Sequence, residues 1–194
     1  YLIYSMLAGV FCALGMLLAH SAGGLLDAFE ATKGLAKIIY SISFAFSFTF
    51  IVFAGAELFT GNVLVMFMGF LDKVVSLKAT LKSLFAVYLG NWLGAGIMSV
   101  LIGFSGLLEN QVLGRYLVAN AAVKMNLPVV QALVRGILCN MLICLAVWAV
   151  SKMKSEGAKM LILAWSNYGF CISGFEHSIA NMALFVMAAL SSWR

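Results

Sequence analysis

Five apolar stretches dominate this sequence of 194 residues and restrict it to one class of fold. A helix of about 20 apolar residues crosses the roughly 30 Å hydrocarbon core of a bilayer. Hydrophobic residues make up 64% of the chain and charged residues only 10%, against about 25% charged residues in soluble domains. A soluble domain, a disordered chain and a disulfide scaffold are thereby excluded, and an all-α membrane protein is predicted. The stretches cover roughly residues 1–22, 36–70, 83–104, 129–150 and 158–191.

The lysines between these stretches predict the orientation in the membrane. Lys73, Lys78 and Lys82 follow the second stretch, and a second group of three lysines lies within residues 151–159. Short loops rich in Lys and Arg stay on the cytoplasmic side. We therefore expect both loops and the N-terminus to be cytoplasmic.

Two of the stretches are too long for a single span, and both are interrupted by the same pattern. Gly55–Asn62 and Gly174–Asn181 both follow G-x-E-x-x-x-x-N, and they lie 119 positions apart. A weaker match joins Gly9–Cys12 to Gly136–Cys139. Three spans in each half would place the two copies in opposite orientations, which predicts the inverted repeat found in many transporters.

The repeat also predicts how the chain is divided. Residues 1–104 form the first half with three spans, residues 105–128 a connecting loop, and residues 129–194 a second half with two spans. A counterpart of the third span would fall beyond residue 194, so we expect a protomer of six helices of which five are present. The alternative is that five spans are complete and that the repeat arises by chance.

Each interruption carries a carboxylate at membrane depth, which is costly and therefore points to a function. The simplest role of Glu57 and Glu176 is to accept hydrogen bonds from unpaired N–H groups of the broken backbone, with Asn62 and Asn181 also stabilising the breaks. Direct binding of a substrate by the glutamates is the alternative. The N-termini of paired half-helices favour an anion between them.

His177 is the main candidate among the titratable side chains for contact with a solute, because it lies in the second interruption and follows Glu176 directly. An imidazole can donate a hydrogen bond to a weak acid or protonate it near neutral pH; the alternative is a histidine that only bonds to the backbone. His20, at the end of the first stretch, is expected at the membrane interface. Two histidines and four scattered cysteines predict no metal site and no cofactor.

Three segments resemble the formate/nitrite transporter family, which includes formate, nitrite and hydrosulfide channels of bacteria. They are Ala54–Asn62, Arg135–Trp148 and Ser173–Met182. The resemblance implies an aquaporin-like fold of six helices with the second and fifth broken. It also implies a homopentamer in the bacterial inner membrane, with one pore in each protomer.

The resemblance further implies a pore with two constrictions, a central histidine and a lysine. Phe48 stands at a position of the second helix where family members vary, which leaves the pore width open. The implied pore residues are Leu58, Phe59 and Thr60 at one constriction, Phe44 and Phe170 at the other, and Lys124, Asn140 and His177 beside the path.

These features together predict a channel or transporter for small monovalent anions of weak acids, not an enzyme. In this hypothesis Lys124 and the half-helix dipoles attract the anion. His177, with Thr60 and Asn140, then lowers the barrier by hydrogen bonding or by proton donation. Formate, nitrite and hydrosulfide are not separated by the sequence, although its general similarity slightly favours hydrosulfide or formate.

Three other functions fit parts of the pattern. A pore for neutral solutes of the aquaporin type would share the broken helices. A membrane enzyme could use Glu176 and His177 as an acid–base pair, but no nucleophile or nucleotide motif accompanies them. A purely structural subunit would have little use for two carboxylates at membrane depth.

Overall fold

The computed structural model describes residues 1–193, which form eight α-helices and one short 3-10 turn. The helices are α1 (Leu2–Asp27), α2 (Lys33–Phe53), α3 (Phe59–Leu71), α4 (Leu77–Phe104), α5 (Gln111–Met125), α6 (Val129–Lys152), α7 (Glu156–Ser173) and α8 (Ser178–Ser192), and the turn covers Leu107–Glu109.

Within residues 1–193, helices α1, α2, α4 and α6 are each long and apolar enough to cross a membrane. Helices α7 and α8 meet that criterion as a pair and are bent by 62° at the break between them. Helix α3 is a shorter apolar helix that follows the break after α2. The prediction of an all-α, multi-pass membrane fold with interrupted second and fifth stretches is therefore confirmed.

The segment between the two halves is helical, which differs from the predicted connecting loop. Helix α5 begins after Asn110, whose side chain accepts hydrogen bonds from the backbone N–H groups of Val112 and Leu113. Leu113, Leu117 and Ala121 are buried at the four-residue spacing of one helix face. The mean apolarity of this segment is too low to predict a span, but its periodicity is helical.

One hydrogen bond in each half shows how the two copies correspond. The Glu57 N–H donates to the Tyr4 carbonyl at 3.1 Å, and the Glu176 N–H donates to the Arg135 carbonyl at 3.3 Å. Helix α6 is therefore the counterpart of α1, with Tyr4 and Arg135 equivalent and 131 positions apart. The weaker match of Gly9 to Gly136 is wrong by about one helical turn. A four-residue shift keeps the same helix face, so the apolar pattern alone could not exclude it.

Helix α4 packs against α1 with its backbone in close contact. A Cβ added to Gly94 would lie 1.9 Å from the Met6 carbonyl oxygen, and one added to Gly9 would lie 2.1 Å from the Asn91 carbonyl oxygen. Small residues permit such an approach between membrane helices.

Asn91 of α4 lies at this contact and holds the first break in place. Its Nδ2 donates to the carbonyls of Ser5 at 2.7 Å and Glu57 at 2.8 Å, and its Oδ1 accepts from the Phe59 N–H at 2.9 Å. The Asn91 side chain is fully buried. One amide therefore joins α1, the break and the start of α3.

Replacement of Asn91 by leucine should destabilise the protein strongly. The change leaves the Ser5 carbonyl, the Glu57 carbonyl and the Phe59 N–H without this partner, and each buried unpaired group costs about 1–3 kcal/mol. We expect a clearly lower thermal unfolding temperature in detergent for Asn91→Leu. Trp92→Leu is the matched control because the Trp92 side chain is exposed on the outer face. An equal shift in both variants would contradict the role of Asn91.

Candidate functional site

The two breaks meet at a contact between Thr60 and His177. Thr60 Oγ1 lies 3.4 Å from His177 Nε2, and both side chains are buried. Thr60 is in the first turn of α3, and His177 immediately precedes α8. The N-terminal ends of both short helices, with their unpaired N–H groups and partial positive charge, therefore come together here.

The hydrogen bonds of His177 define which ring nitrogen carries the proton in the neutral form. Nδ1 accepts from the Ala180 N–H at 3.1 Å and thereby caps the N-terminus of α8. An accepting Nδ1 has no proton, so we assign the proton of the neutral ring to Nε2. His177 thus presents an N–H donor toward Thr60, and protonation of Nδ1 would require loss of the cap.

Aromatic rings form an apolar wall beside this histidine. The ring centroids of Phe170 and His177 are 5.5 Å apart, and those of Phe44 and Phe170 are 6.2 Å apart in an edge-to-face arrangement. Phe44 and Phe170 are both buried. Their rings offer no hydrogen bonds to replace the water around an ion, so a charged solute would cross this region only at high cost.

A cavity of about 400 Å³, the vestibule, opens on the Phe44 and Phe170 side of His177. Its charged lining residues are Asp27, Lys37, Lys124, Arg135 and Glu176. Three basic and two acidic side chains leave an excess of one positive charge. The vestibule is therefore suited to collect anions next to the aromatic wall.

Lys124 is paired inside this vestibule. Its Nζ donates to Glu176 Oε2 at 2.6 Å, and the side chains of Lys124 and Glu176 are 21% and 11% exposed. Asn181 Nδ2 donates to the same oxygen at 2.8 Å. The pair cancels most of the charge of Lys124, so the excess charge of the vestibule comes from Lys37 and Arg135.

The two break glutamates accept hydrogen bonds from side chains, which corrects the expected role. Asn62 Nδ2 donates to Glu57 Oε2 at 2.6 Å, in parallel with Asn181 and Glu176. The N–H groups of the breaks bond to other partners, namely the Tyr4 carbonyl, the Arg135 carbonyl and Asn91 Oδ1. Each asparagine lies five residues after its glutamate, in α3 or α8. Each carboxylate therefore bonds to the helix that follows its break rather than to the unwound backbone.

The remaining predicted pore residues lie in α2, at the start of α3 and in α6. Leu58 is buried directly before α3, and Phe48 is buried in α2. The Phe59 ring packs edge-to-face on Tyr88 of α4, with centroids 5.2 Å apart, and does not join the aromatic wall. Asn140 Nδ2 donates to Cys144 Sγ at 3.5 Å; it lines a second cavity, which it shares with Thr60 and Glu176.

His20, expected at the membrane interface, is fully buried within the protein. Helix α1 continues past it to Asp27, and the ring lies between Tyr40 and Tyr116, with centroid distances of 4.9 and 5.6 Å. Its Nδ1 donates to the Met16 carbonyl at 2.9 Å. Tyr116 belongs to α5, where the sequence predicted a loop, and therefore its contact with His20 could not be foreseen.

The similarity to known proteins extends over almost the whole chain. The family model described as formate/nitrite transporter matches residues 1–193. The uncharacterized transporter YwcJ of Bacillus subtilis is 35% identical over 98% of this chain and 73% of its own length. The nitrite transporter NirC of Salmonella typhimurium is 31% identical over 95% of this chain and 66% of its own length.

Solved structures agree with these sequence relatives. An FNT family ion channel superimposes with a TM-score of 0.89 at 28% identity, covering 98% of this chain and 74% of that one. A pentameric formate channel with formate bound gives a TM-score of 0.86 at 27% identity, covering 96% and 73%. This chain therefore belongs to the formate/nitrite transporter family, whose members are transporters or channels and not enzymes.

Proposed function

We propose that this protein conducts small monovalent anions of weak acids, such as formate, nitrite or hydrosulfide, across the bacterial inner membrane. The Thr60–His177 contact carries the proposal, because it joins two half-helix N-termini behind an aromatic wall. Similarity to a formate channel and to a nitrite transporter supports this substrate class. The pentameric state of that formate channel supports a homopentamer with one pore in each protomer.

Proton-assisted passage solves the electrostatic problem of the aromatic wall. Transfer of a bare charge into low dielectric is far more costly than transfer of the neutral acid. In this mechanism the anion gathers in the vestibule and takes up a proton as it leaves water. The neutral acid then passes Phe170 and Leu58, with His177 and Thr60 offering hydrogen bonds between them. Asn140 lines the cavity beyond Thr60.

His177 acts in this mechanism as a hydrogen-bond donor through Nε2. The bond from Ala180 N–H occupies Nδ1, so the neutral ring already presents its N–H without any further protonation. Proton donation from an imidazolium would first require release of the helix cap. The cap therefore favours hydrogen bonding over proton donation, the two roles that the sequence left open.

Flux into proteoliposomes tests the substrate class directly. We expect uptake of formate, nitrite or hydrosulfide that rises as the pH falls, because more of the solute is then protonated. Glycerol should not enter, since the aromatic wall offers a polyol no hydrogen bonds. Protein-free liposomes give the background. Glycerol entry without anion uptake would favour the aquaporin-type alternative.

Substitution of His177 by asparagine should lower anion flux at every pH. Asparagine is a good N-cap, so α8 stays capped while the Nε2 donor is lost. A hydrogen bond to a neutral group contributes about 0.5–1.5 kcal/mol, which corresponds to a flux about 2- to 10-fold lower. The pH profile should keep its shape. Unchanged flux would contradict the role of His177, and a changed pH profile would indicate proton donation by its ring.

In this mechanism the anion is attracted chiefly by Lys37 and Arg135, the basic residues of the vestibule that are outside the Lys124–Glu176 pair. Lys37 Nζ lies over the second break, 3.8 Å from the position that a Cβ on Gly174 would occupy. Arg135 lines the same cavity, and its carbonyl accepts the Glu176 N–H. Both side chains therefore bring positive charge to the entrance of the aromatic wall.

Lys37→Gln should raise the anion concentration that gives half-maximal flux by about 3- to 10-fold at low ionic strength, because local charge concentrates the permeant ion. The effect should shrink near 1 M salt, where the Debye length is about 3 Å. Lys33→Gln is the matched control, one turn earlier on α2, where Lys33 is paired with Glu30 at 3.7 Å. Equal effects of both substitutions, or no dependence on salt, would contradict the role of Lys37.

A further inference from the structure

His20 is fully buried, and only one of its two ring nitrogens has a hydrogen-bond partner among residues 1–193. Its Nδ1 donates to the Met16 carbonyl at 2.9 Å, so Nε2 of the neutral ring has no proton and presents a lone pair. An unpaired buried polar atom costs about 1–3 kcal/mol, which an apolar side chain in this position would avoid. The lone pair therefore points to a small hydrogen-bond donor that reaches it from outside the chain.

The outer site consists of His20 and the two tyrosines that enclose its ring. The ring centroids of Tyr40 and Tyr116 lie 4.9 and 5.6 Å from that of His20. Both tyrosines also line the vestibule, as does Met16. His20 is thus separated from the vestibule by a single layer of side chains.

The two tyrosines of the outer site are held differently. The Tyr40 hydroxyl donates to Met16 Sδ at 3.4 Å, which fixes this ring to α1. Tyr116 is only half-buried, and its ring rests on Gly23 and Gly24, which offer it no side chains. A turn of the Tyr116 ring would therefore open a path from the vestibule to the imidazole while Tyr40 stays in place.

The outer site lies at the start of the row of rings that forms the aromatic wall. Tyr40 stacks on Phe44 with centroids 6.5 Å apart, and Phe44 contacts Phe170 beside His177. A solute at the outer site therefore has Phe44 and Phe170 between it and His177. The two histidines present opposite groups along this path, because Nε2 of His20 is an acceptor and Nε2 of His177 is a donor.

An acceptor at His20 distinguishes the two forms of a weak acid. The anion has no proton to donate, and the lone pair repels its charge; the undissociated acid can donate its O–H or S–H group. Among the described residues, the titratable groups that face His20 from the helices packed on α1 are Tyr40 of α2, and Tyr116 and Lys124 of α5. The tyrosines are neutral phenols, and Lys124 is paired with Glu176. Recognition here therefore depends on the proton of the solute.

We propose that the outer site binds the undissociated form of the weak acid, whose O–H or S–H group donates to His20 Nε2. The acid enters from the vestibule when the Tyr116 ring turns, and it is held there before it passes the aromatic wall. This inference rests on the proposed function, because it names the form of the solute that leaves the vestibule.

Nitrogen NMR of the protein with isotope-labelled histidine, in lipid nanodiscs, detects this bond directly, because the resonance of an unprotonated ring nitrogen moves when it accepts a hydrogen bond. The chain has two histidines, and the spectrum of His177→Asn assigns the signals of His20. Sodium formate and sodium hydrosulfide are added in turn at low and at high pH, and each spectrum is compared with buffer at the same pH. We expect the Nε2 signal to move at low pH only, where undissociated acid is present.

Three results of this experiment would overturn the proposal. An equal movement at high pH would mean that the anion binds. A signal that is already hydrogen-bonded in buffer and does not respond to solute would mean that the site holds water only. Movement of the signal by Tyr116→Phe in buffer would identify the Tyr116 hydroxyl as the donor.

Flux through two variants of His20 tests the same bond. His20→Leu removes the acceptor and should raise the half-saturating solute concentration by about 2- to 10-fold, the effect of one neutral hydrogen bond. The rise should not depend on ionic strength, because neither partner is charged. His20→Gln supplies an amide oxygen and should restore the lower value; an equal rise in both variants would show a packing role only and overturn the proposal. Transport without the NMR response would overturn this inference alone, whereas the NMR response without transport would overturn the proposed function and leave the outer site.

Discussion

The need to pair backbone groups at the two breaks determines much of this structure. A helix interrupted within a membrane exposes N–H and C=O groups that lipid cannot satisfy. The Tyr4 carbonyl receives the Glu57 N–H, and Asn91 takes up two further groups of the same break. Close packing of α4 on α1 through Gly9 and Gly94 follows from this, because the amide must reach both α1 and the break.

The two halves share this geometry but use it for different chemistry. Both breaks contain a glutamate bonded to an asparagine five residues later. The second break adds Lys124 to the carboxylate, and it places His177 at the start of α8. Charge and a titratable ring are thus concentrated in one half, next to the vestibule. Inverted repeats commonly place a binding site between such halves, and here the halves contribute unequally to it.

The sequence predicted the features that repeat along the chain and missed those that depend on contacts between distant segments. The spans and both breaks could be predicted because apolar length and a shared motif are local properties. The sequence assigned no role to Asn91, since its partners Ser5 and Glu57 come from other elements. The Lys124–Glu176 pair joins residues 52 positions apart. Phe59 was assigned to the pore, and it lines a cavity with Thr60 and Asn140; the contact of its ring with Tyr88 of α4 could not be foreseen.

The capping role of His177 limits how the protein can handle charge. A ring that holds α8 through Nδ1 keeps its single proton on Nε2, and a second proton would disrupt the helix that positions it. If the ring stays neutral, the proton that accompanies a weak-acid anion must come from water in the vestibule. Selectivity would then depend on the solute's own readiness to accept a proton, and one hydrogen-bonding ring could serve several small acids.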